Sequence, residues 1–426
     1  MRKLRHMPAA GGTLLIFAAP TAAQAQPTLT TLYNFTGKSD GFHPVAGVVI
    51  GGGGVLYGTT YSYGSFTNEG TAFSLTPPAV AGGTWTQATI QEFTGTNGVY
   101  PEGSLVVGSG GVLYGTCHNG GADNGYGTAF SLTPPSSPGG AWTGDVIWDF
   151  SNGYGNQPIA GMVIGKGGVL LGTTSVDSTV YELIPRASSG GAWTYHNVHI
   201  FTGYPSDGNI PDGGVVVGGD GVLYGTTQRG GSSYCSGASP GCGTAFSVTP
   251  PTTQGGAWTE AVLHNFSNDG TDGFYPEAGL VIGASGVLYG TTFDGGTDNY
   301  GTVFSLTPPA SPGGAWTEAI LYSFAGGSDG AHPLASPVIG RGGVLYGTTN
   351  TGGPANSGTV FSLRPPAPPG GSWTETVLHA FSGSDGALPT APVAIGSGGA
   401  LYGTTEQGGL ACGSNSGCGT VFSLTP

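Results

Sequence analysis

Five aspartates recur in the same short turn, each followed directly by glycine and, four residues after the aspartate, by proline. They are Asp40, Asp207, Asp272, Asp329 and Asp385. Carboxylate oxygens are the ligands that Ca²⁺ prefers, so a ring of such turns could bind calcium or a polar ligand. Asp-Gly is also a favoured turn pair, and the proline stiffens the entry to the next strand. Turn chemistry alone favours a structural role, and ligand or calcium binding is the alternative hypothesis.

Other residues could carry catalysis or bind a transition metal, but their pattern is not selective. Glycoside hydrolysis requires two carboxylates at a defined separation. Glu102, Asp212 and Glu277 add acids beside the same turns without distinguishing a pair. His196 and His199 have a spacing found among metal ligands, but strict alternation along an outer strand would place them on opposite faces. The sequence therefore predicts no catalytic residue and no metal site, and no cofactor unless the aspartates bind Ca²⁺.

Four of the five cysteines form two close pairs in loops rich in Gly and Ser. Cys235 and Cys242 enclose six residues, and Cys412 and Cys418 enclose five. These spacings are wider than the knuckles of a zinc site, so they favour two local disulfides in an oxidising compartment. Cys117 has no evident partner and is predicted to be a partly buried thiol.

Residues 1–25 have the organisation of an export signal. Arg2, Lys3 and Arg5 precede a short apolar stretch, and Ala-Gln-Ala at 23–25 forms a cleavage site. The apolar stretch is too short to span a bilayer. Removal of residues 1–25 takes away three cations and changes the net charge from −14 to 6 minus 23, or −17. So few cations exclude nucleic acid as a partner, since phosphate binding depends on Lys and Arg. We expect a periplasmic or extracellular monomer without a membrane span.

The elements that must position these residues are short strands in seven repeats. Each repeat reads as strand a ("AGVVIG"), strand b ("GVLYGTT"), strand c ("GTAFSLTPP") and strand d ("TWTQATIQEFTG"), separated by Gly, Pro, Asn and Asp. Four short antiparallel strands in each repeat of this length predict the blades of a β-propeller. The strand b motif is marked by Tyr57, Tyr114, Leu171, Tyr224, Tyr289, Tyr346 and Tyr402.

The ring is predicted to close by pairing the two ends of the chain. Residues 29–37 read as a strand d with no strand c before it, and residues 419–426 as a strand c with no strand d after it. An open ring would leave unpaired strand edges. We therefore expect an all-β, seven-bladed β-propeller at residues 26–426, whose N-terminal strand completes the last blade.

The loops of this propeller divide into two faces. The a-to-b and c-to-d loops share the bottom face and are nearly uniform, as a scaffold requires. The d-to-a and b-to-c loops share the top face, and the b-to-c loops range from "SVDS" to the 15 residues "QRGGSSYCSGASPGC". Variable loops on a rigid ring predict binding of a neutral carbohydrate or protein partner without catalysis. The alternatives are a glycoside hydrolase using top-face acids and a structural envelope protein.

The recurrent "LYGTT…GG…GTVFSLTP" block resembles the GloVer tandem repeat of exported bacterial proteins, known as choice-of-anchor proteins for their differing C-terminal sorting signals. The resemblance covers nearly all of residues 26–426. It implies an exported repeat protein and implies no particular activity. Because the sequence ends on a strand c, we expect no sorting tail and no surface anchor.

Overall fold

The computed structural model describes residues 26–62, 69–80, 82–122, 125–137, 139–151, 155–186, 191–235, 240–253, 256–311, 313–367, 370–412 and 416–426. Its regular elements are short strands and 3-10 turns, and the strands build seven four-stranded antiparallel sheets. The candidate export signal at 1–25 lies outside the described residues. Within the described ranges, no helix has the length and apolar character needed to cross a membrane.

Each sheet is one blade, with its strands in the order a, b, c, d. Blade 1 contains Val49–Ile50, Leu56–Thr60, Thr71–Thr76 and Thr86–Glu92; blade 2, Val106–Val107, Leu113–Cys117, Thr128–Thr133 and Thr143–Asp149; blade 3, Val163–Ile164, Leu170–Thr174, Thr179–Ile184 and Thr194–Ile200; blade 4, Val215–Val217, Leu223–Thr227, Thr244–Thr249 and Thr259–Asn265. Blade 5 contains Val281–Ile282, Leu288–Thr292, Thr302–Thr307 and Thr317–Ser323; blade 6, Val338–Ile339, Leu345–Thr349, Thr359–Arg364 and Thr374–Ala380; blade 7, Ala394–Ile395, Leu401–Thr405, Thr420–Thr425 and Thr28–Asn34.

Short turns and ribbons complete the repeat. A 3-10 turn joins strands a and b in every blade: Gly52–Gly54, Ser109–Gly111, Lys166–Gly168, Gly219–Gly221, Ala284–Gly286, Arg341–Gly343 and Ser397–Gly399. On the top face, Gly208–Asn209 pairs with Arg229–Gly230, and Gly273–Phe274 pairs with Asp294–Gly295. A further 3-10 turn, Gly327–Asp329, precedes blade 6. Each d-to-a loop thus lies against a b-to-c loop.

Blade 7 joins the N-terminal strand to the C-terminal strands. Strand Thr28–Asn34 runs antiparallel to Thr420–Thr425, from Thr28 opposite Thr425 to Asn34 opposite Thr420. Phe35, directly after this strand, is fully buried and packs edge-to-face on Phe73 of blade 1, with ring centroids 5.1 Å apart. The prediction of a seven-bladed propeller closed by its N-terminal strand is confirmed.

Aromatic rings fill the spaces between blades. Phe266 closes strand d of blade 4 and meets Phe304 of blade 5 edge-to-face, with centroids 5.0 Å apart. Both side chains are fully buried, and such a ring contributes about 1.5–3 kcal/mol by burial. The glycine of the strand b motif makes room for the ring, because a Cβ on Gly290 would come within 2.5 Å of the Phe304 side chain.

The threonines that end strand b hold neighbouring elements together. The second one shares a hydrogen bond with the first threonine of strand c, as between Thr227 and Thr244 (Oγ1–Oγ1, 2.8 Å). Except in blade 3, the first one donates to a carbonyl of the next blade, as Thr226 does to Ala278 (2.6 Å). Across the seam Thr404 donates to the carbonyl of Ala46 at 2.9 Å. The ring is therefore closed by an inter-blade hydrogen bond as well as by strand pairing.

The cysteines form the two predicted disulfides, Cys235–Cys242 and Cys412–Cys418. Cys117 is unpaired, as expected, but it is fully buried rather than partly buried. The reason is its position, since it occupies the second threonine site of strand b, against Thr128 of strand c. Burial raises the pKa of its thiol, although a hydrogen bond with Thr128 opposes this shift.

Candidate functional site

Each of the five recurrent aspartates caps its own d-to-a turn. Asp207 accepts hydrogen bonds from the Thr202 N–H (2.8 Å) and from the Gly208 N–H (2.7 Å). Burial opposes ionisation of Asp207, but the neighbouring His199 imidazole and these N–H groups bring its pKa below the ordinary value. A single carboxylate thus satisfies main-chain donors on both sides of its turn.

At the other four turns the aspartate also accepts a hydrogen bond from a main-chain N–H that precedes it, and an aromatic or imidazole ring of strand d is a further partner in each. The contacts are Asp40 with the Tyr33 hydroxyl (2.9 Å) and Thr36 N–H (2.8 Å), Asp272 with His264 Nε2 (3.0 Å) and Ser267 N–H (3.0 Å), Asp329 with the Tyr322 hydroxyl (2.7 Å) and Ala325 N–H (2.7 Å), and Asp385 with His379 Nε2 (2.8 Å) and Ser382 N–H (2.8 Å). Each aspartate has its own partners at its own blade junction. Ligand or calcium binding at these residues stays a prediction.

A cavity of about 660 Å³ lies on the propeller axis, where the beginnings of all seven strands a converge. Apolar side chains such as Leu105, Met162, Val215 and Leu280 form part of its wall. The residue after the recurrent proline faces it in every blade: Val45, Glu102, Ile159, Asp212, Glu277, Leu334 and Thr390. Acids are supplied by blades 2, 4 and 5, whereas blades 6, 7 and 1 supply uncharged residues, so the charge is concentrated on one side of the ring.

The residue before each proline has a left-handed backbone, although none of the seven is glycine. These residues are His43, Tyr100, Gln157, Ile210, Tyr275, His332 and Leu388, with φ between 54° and 60°. The carbonyl of Tyr100 accepts a hydrogen bond from the His118 N–H (2.9 Å), and His118 is the residue after strand b. The equivalent bond from Tyr61 to the His43 carbonyl also measures 2.9 Å. These bonds hold a costly conformation in every blade, against the extended backbone that a following proline favours.

In each blade the residue after the proline lines the cavity, and two further residues lie beside it: the residue before the proline, and the residue after strand b that is hydrogen-bonded to it through the main chain. We call this set the mouth. Its third members are Tyr61, His118, Ser175, Gln228, Phe293, Asn350 and Glu406. The framework positions repeat almost unchanged from blade to blade, whereas the mouth positions differ in charge, size and aromaticity. The fold does not require that variety, so the mouth is the candidate site.

Blades 2 and 4 place two acids and a histidine at the mouth. Glu102 Oε1 lies 2.7 Å from His118 Nδ1, while His118 Nε2 is buried without a hydrogen-bond partner among the described residues. Burial lowers the pKa of His118, but Glu102 outweighs it and the net shift is upward. Burial raises the pKa of Asp212 to about 6, and its Oδ1 is buried without a partner in the described part of the chain. Both groups retain hydrogen-bonding capacity toward a ligand.

Blades 4 to 6 add a hydrogen-bonded glutamate and aromatic faces. Gln228 Nε2 donates to Glu277 Oε1 at 2.8 Å, and burial raises the pKa of Glu277 above its ordinary value. The Arg229 guanidinium lies 3.8 Å from the centroid of the Tyr275 ring. Phe293 of blade 5 stacks on His332 with ring centroids 4.6 Å apart, and Tyr61 of blade 1 stacks on Tyr100 at 4.4 Å. The mouth thus combines flat apolar faces with polar atoms.

The structure brings some of the candidate residues from the sequence together and separates others from them. Glu102, Asp212 and Glu277 come together around one cavity, whereas none of the five turn aspartates is among the described residues that line it. The sequence interpretation missed the residues before the prolines, such as Tyr100 and His332. The signal was available, because these positions vary between repeats whose flanking residues are constant.

His196 and His199 share one face of their strand, so the prediction of opposite faces was wrong. His196 lies opposite Glu182 and His199 opposite Val180, and these partners are two residues apart on strand c. Val198 is the extra residue of a β-bulge, which shifts the alternation by one. His199 is therefore directed toward blade 4 instead of lying free on the surface.

Comparisons with known proteins agree with the fold. The chain is similar to PorZ of Porphyromonas gingivalis, a surface component of the type-IX secretion system, with 13% identity, a TM-score of 0.51, and coverage of 91% of this chain and 47% of that one. It spans about half of PorZ. It is also similar to aldose sugar dehydrogenase from Streptomyces coelicolor, with 14% identity, a TM-score of 0.44, and coverage of 95% and 100%. The chain is similar as well to Trypanosoma rangeli sialidase, with 11% identity, a TM-score of 0.43, and coverage of 94% of this chain and 59% of that one. At these identities the likeness concerns the fold alone.

The repeat itself identifies a family. No curated protein matches the chain. The family model of the Gloeobacter/Verrucomicrobia repeat matches residues 10–181 and 232–426, which contain most copies of the LYGTT block. The resemblance inferred from that block is confirmed, and the chain belongs to the Gloeobacter/Verrucomicrobia repeat family.

Proposed function

We propose that this chain is an exported, non-catalytic binding protein whose mouth holds a neutral carbohydrate. The observation that carries the proposal is the variety of side chains at the mouth on a framework that repeats sevenfold. The cavity of about 660 Å³ falls within the range of small-ligand sites. Export is supported by the sequence of residues 1–25 and by the two disulfides.

The chemistry of the mouth matches the two kinds of surface that a sugar presents. Its C–H faces can lie on aromatic rings such as Tyr100 and Phe293, which offer large apolar area. Its hydroxyl groups can pair with carboxylates and imidazoles that have free capacity, namely Asp212 Oδ1 and His118 Nε2. Acids outnumber Lys and Arg at the mouth, so an anionic polysaccharide would meet repulsion.

The test is binding of neutral oligosaccharides to the full chain, expressed for export with its disulfides intact. A glycan array would select candidates, and calorimetry would then compare wild type with Asp212→Asn. We expect the variant to bind about tenfold more weakly, because it loses a hydrogen bond to a charged acceptor. The matched control is Asp220→Asn, the same change in the exposed bottom turn of the same blade. Failure of all neutral glycans to bind at 1 mM, or equal loss in both variants, would contradict the proposal.

The second candidate is a glycoside hydrolase, favoured by one observation. Burial raises the pKa of Asp212 to about 6, and the charges of Glu277 and Glu102 reinforce this shift. A carboxyl group whose pKa is raised close to other carboxyl groups is the arrangement used for glycoside cleavage. Incubating each bound glycan with the protein and analysing the products separates the two functions. A sugar that is bound and recovered intact supports binding, and one that is cleaved by wild type but not by Asp212→Asn supports catalysis.

A further inference from the structure

We infer a binding site for a divalent transition-metal ion, with Zn²⁺ as the best-suited ion, between blades 3 and 4 at His199, Asp207 and Glu260. His199 lies on strand d of blade 3, Asp207 in the turn that follows, and Glu260 on strand d of blade 4. One ligand atom from each residue lies within 4.8 Å of the other two. The site is separate from the mouth and is independent of the proposed carbohydrate binding.

Two of the three ligand atoms have no other partner. His199 Nε2 and Glu260 Oε1 are both buried, and neither has a hydrogen-bond partner in the described part of the chain. His199 Nε2 is 3.4 Å from Asp207 Oδ2, which is longer than a good N–H···O hydrogen bond. The equivalent Glu318 Oε1 and Glu375 Oε1 are also buried without a partner in the described part of the chain, so His199 Nε2 is the atom that distinguishes this junction. Buried polar atoms are almost always satisfied, and an ion shared by His199 and Glu260 would satisfy both.

The donor set selects the kind of ion. One imidazole nitrogen and two carboxylate oxygens suit Zn²⁺ and its first-row neighbours, whereas Ca²⁺ takes six to eight oxygen ligands. Bonds of about 2.0–2.1 Å place neighbouring zinc ligands roughly 3.4 Å apart. Because the three ligand atoms already lie within 4.8 Å of one another, small side-chain movements would bring them to this spacing, and water would complete the coordination. The ion would join two blades across their interface.

The next two junctions hold the same three positions and act as internal references. His264, Asp272 and Glu318 occupy them between blades 4 and 5, but His264 Nε2 is already 3.0 Å from Asp272 Oδ2. Between blades 5 and 6 the imidazole is replaced by Tyr322, whose hydroxyl donates to Asp329 at 2.7 Å. Among the described residues, the three donor types converge within 4.8 Å at the junction of blades 3 and 4.

The sequence around the site also departs from the common repeat. His199 and Asp207 lie in residues 182–231, the internal segment that the family model leaves unmatched. Glu260 lies in the matched part, and the equivalent residues of the next two blades, Glu318 and Glu375, are also glutamates. The special feature of this junction is therefore the geometry of the histidine and its turn.

The experiment is calorimetric titration of Zn²⁺ into the untagged full chain, expressed for export and freed of metal with a chelator. We expect one equivalent to bind with a Kd of 10 μM or tighter, and Co²⁺ to give a spectrum with nitrogen and oxygen ligands. His199→Tyr reproduces the composition of the Tyr322 junction and should weaken Zn²⁺ binding at least tenfold. His264→Tyr is the matched control and should leave stoichiometry and Kd unchanged.

Glu260→Gln keeps the side-chain shape and provides a second test if His199→Tyr fails to fold. It should also weaken Zn²⁺ binding at least tenfold. The inference is overturned if wild type binds neither Zn²⁺ nor Co²⁺ at 100 μM, or if binding survives in Glu260→Gln. It is equally overturned if His264→Tyr abolishes binding to the same extent as His199→Tyr.

Discussion

The framework and the mouth are built from the same seven repeats, yet they differ in what the repeats hold constant. In the framework, the threonines of strand b and the phenylalanine rings recur with nearly the same contacts, as Phe266–Phe304 and Phe324–Phe361 illustrate at 5.0 and 5.2 Å. At the mouth the backbone is equally constant, but the side chains differ between blades: the residue after the proline is Val45 in blade 1 and Glu102 in blade 2. Repetition of a conformation thus marks what the fold needs, and variation on that conformation marks what the fold leaves free.

The largest expected effect tests the closure of the framework. Removing residues 26–37 would take away strand d of blade 7 and the fully buried Phe35, leaving the edge of Thr420–Thr425 unpaired. Loss of the phenylalanine alone should cost about 3–5 kcal/mol, which for a chain of this size lowers the melting temperature by roughly 4–6 °C, and the lost strand pairing should lower it further. Circular dichroism measures the change against a chain that begins at residue 26. An unchanged melting temperature would refute closure of the ring by this strand.

The second prediction exchanges phenylalanine for alanine in each region. Phe266→Ala leaves a cavity against Phe304 and should destabilise the protein by about 3–5 kcal/mol. Phe293→Ala, at the half-buried mouth, should cost under about 2 kcal/mol while it weakens glycan binding. Chemical denaturation and calorimetry provide the two measurements. Equal losses of stability would mean that the mouth is part of the framework after all.

The third prediction concerns one hydrogen bond at the seam. Thr404→Val removes the donor to the Ala46 carbonyl and should cost about 1–2 kcal/mol. Thr173 is the same residue of blade 3, equally buried, and its hydroxyl has no partner among the described residues. Thr173→Val should therefore be neutral or slightly stabilising. If both variants lose the same stability in urea unfolding, the hydrogen bond is not what ties blade 7 to blade 1.

The smallest expected effect is a pH dependence of the stability, which arises from Glu375 between blades 5 and 6. Burial, reinforced by the charge of Asp329, raises the pKa of Glu375 to about 8. The folded state binds this proton more tightly than the unfolded state does, so the stabilisation is complete below about pH 4.5 and is lost as pH rises through about 8. Glu375→Gln should flatten the melting temperature between pH 5 and pH 9. The exposed Glu92→Gln should leave the wild-type profile intact, and an unaltered profile in Glu375→Gln would count against the prediction.

Much of the framework could be predicted because the same strand and turn motifs occur in every repeat, so each repeat supports the interpretation of the others. The separate strand d at residues 29–37 was sufficient to predict the seam. The left-handed backbone at residues such as Tyr100 was not predictable, because glycine normally marks that conformation and none is present. The bulge at Val198 was also not predicted, because strict alternation of side chains assumes an uninterrupted ladder of hydrogen bonds between the strands. The turn aspartates could be identified in the sequence, but their hydrogen bonds depend on loop conformations that the amino-acid sequence alone does not predict.

The pairing of Thr28–Asn34 with Thr420–Thr425 also sets an order of events in time. The first strand of the ring to be synthesised must wait for the last, so it remains without its partner while six blades assemble. Bringing such distant segments together is entropically costly, although this cost grows only slowly with the length of chain between them. Contacts of this range are typically formed late in folding. Joining these two strands is therefore the step that completes the ring, and a chain that lacked either strand would be left with an exposed edge that a protease or chaperone could recognise.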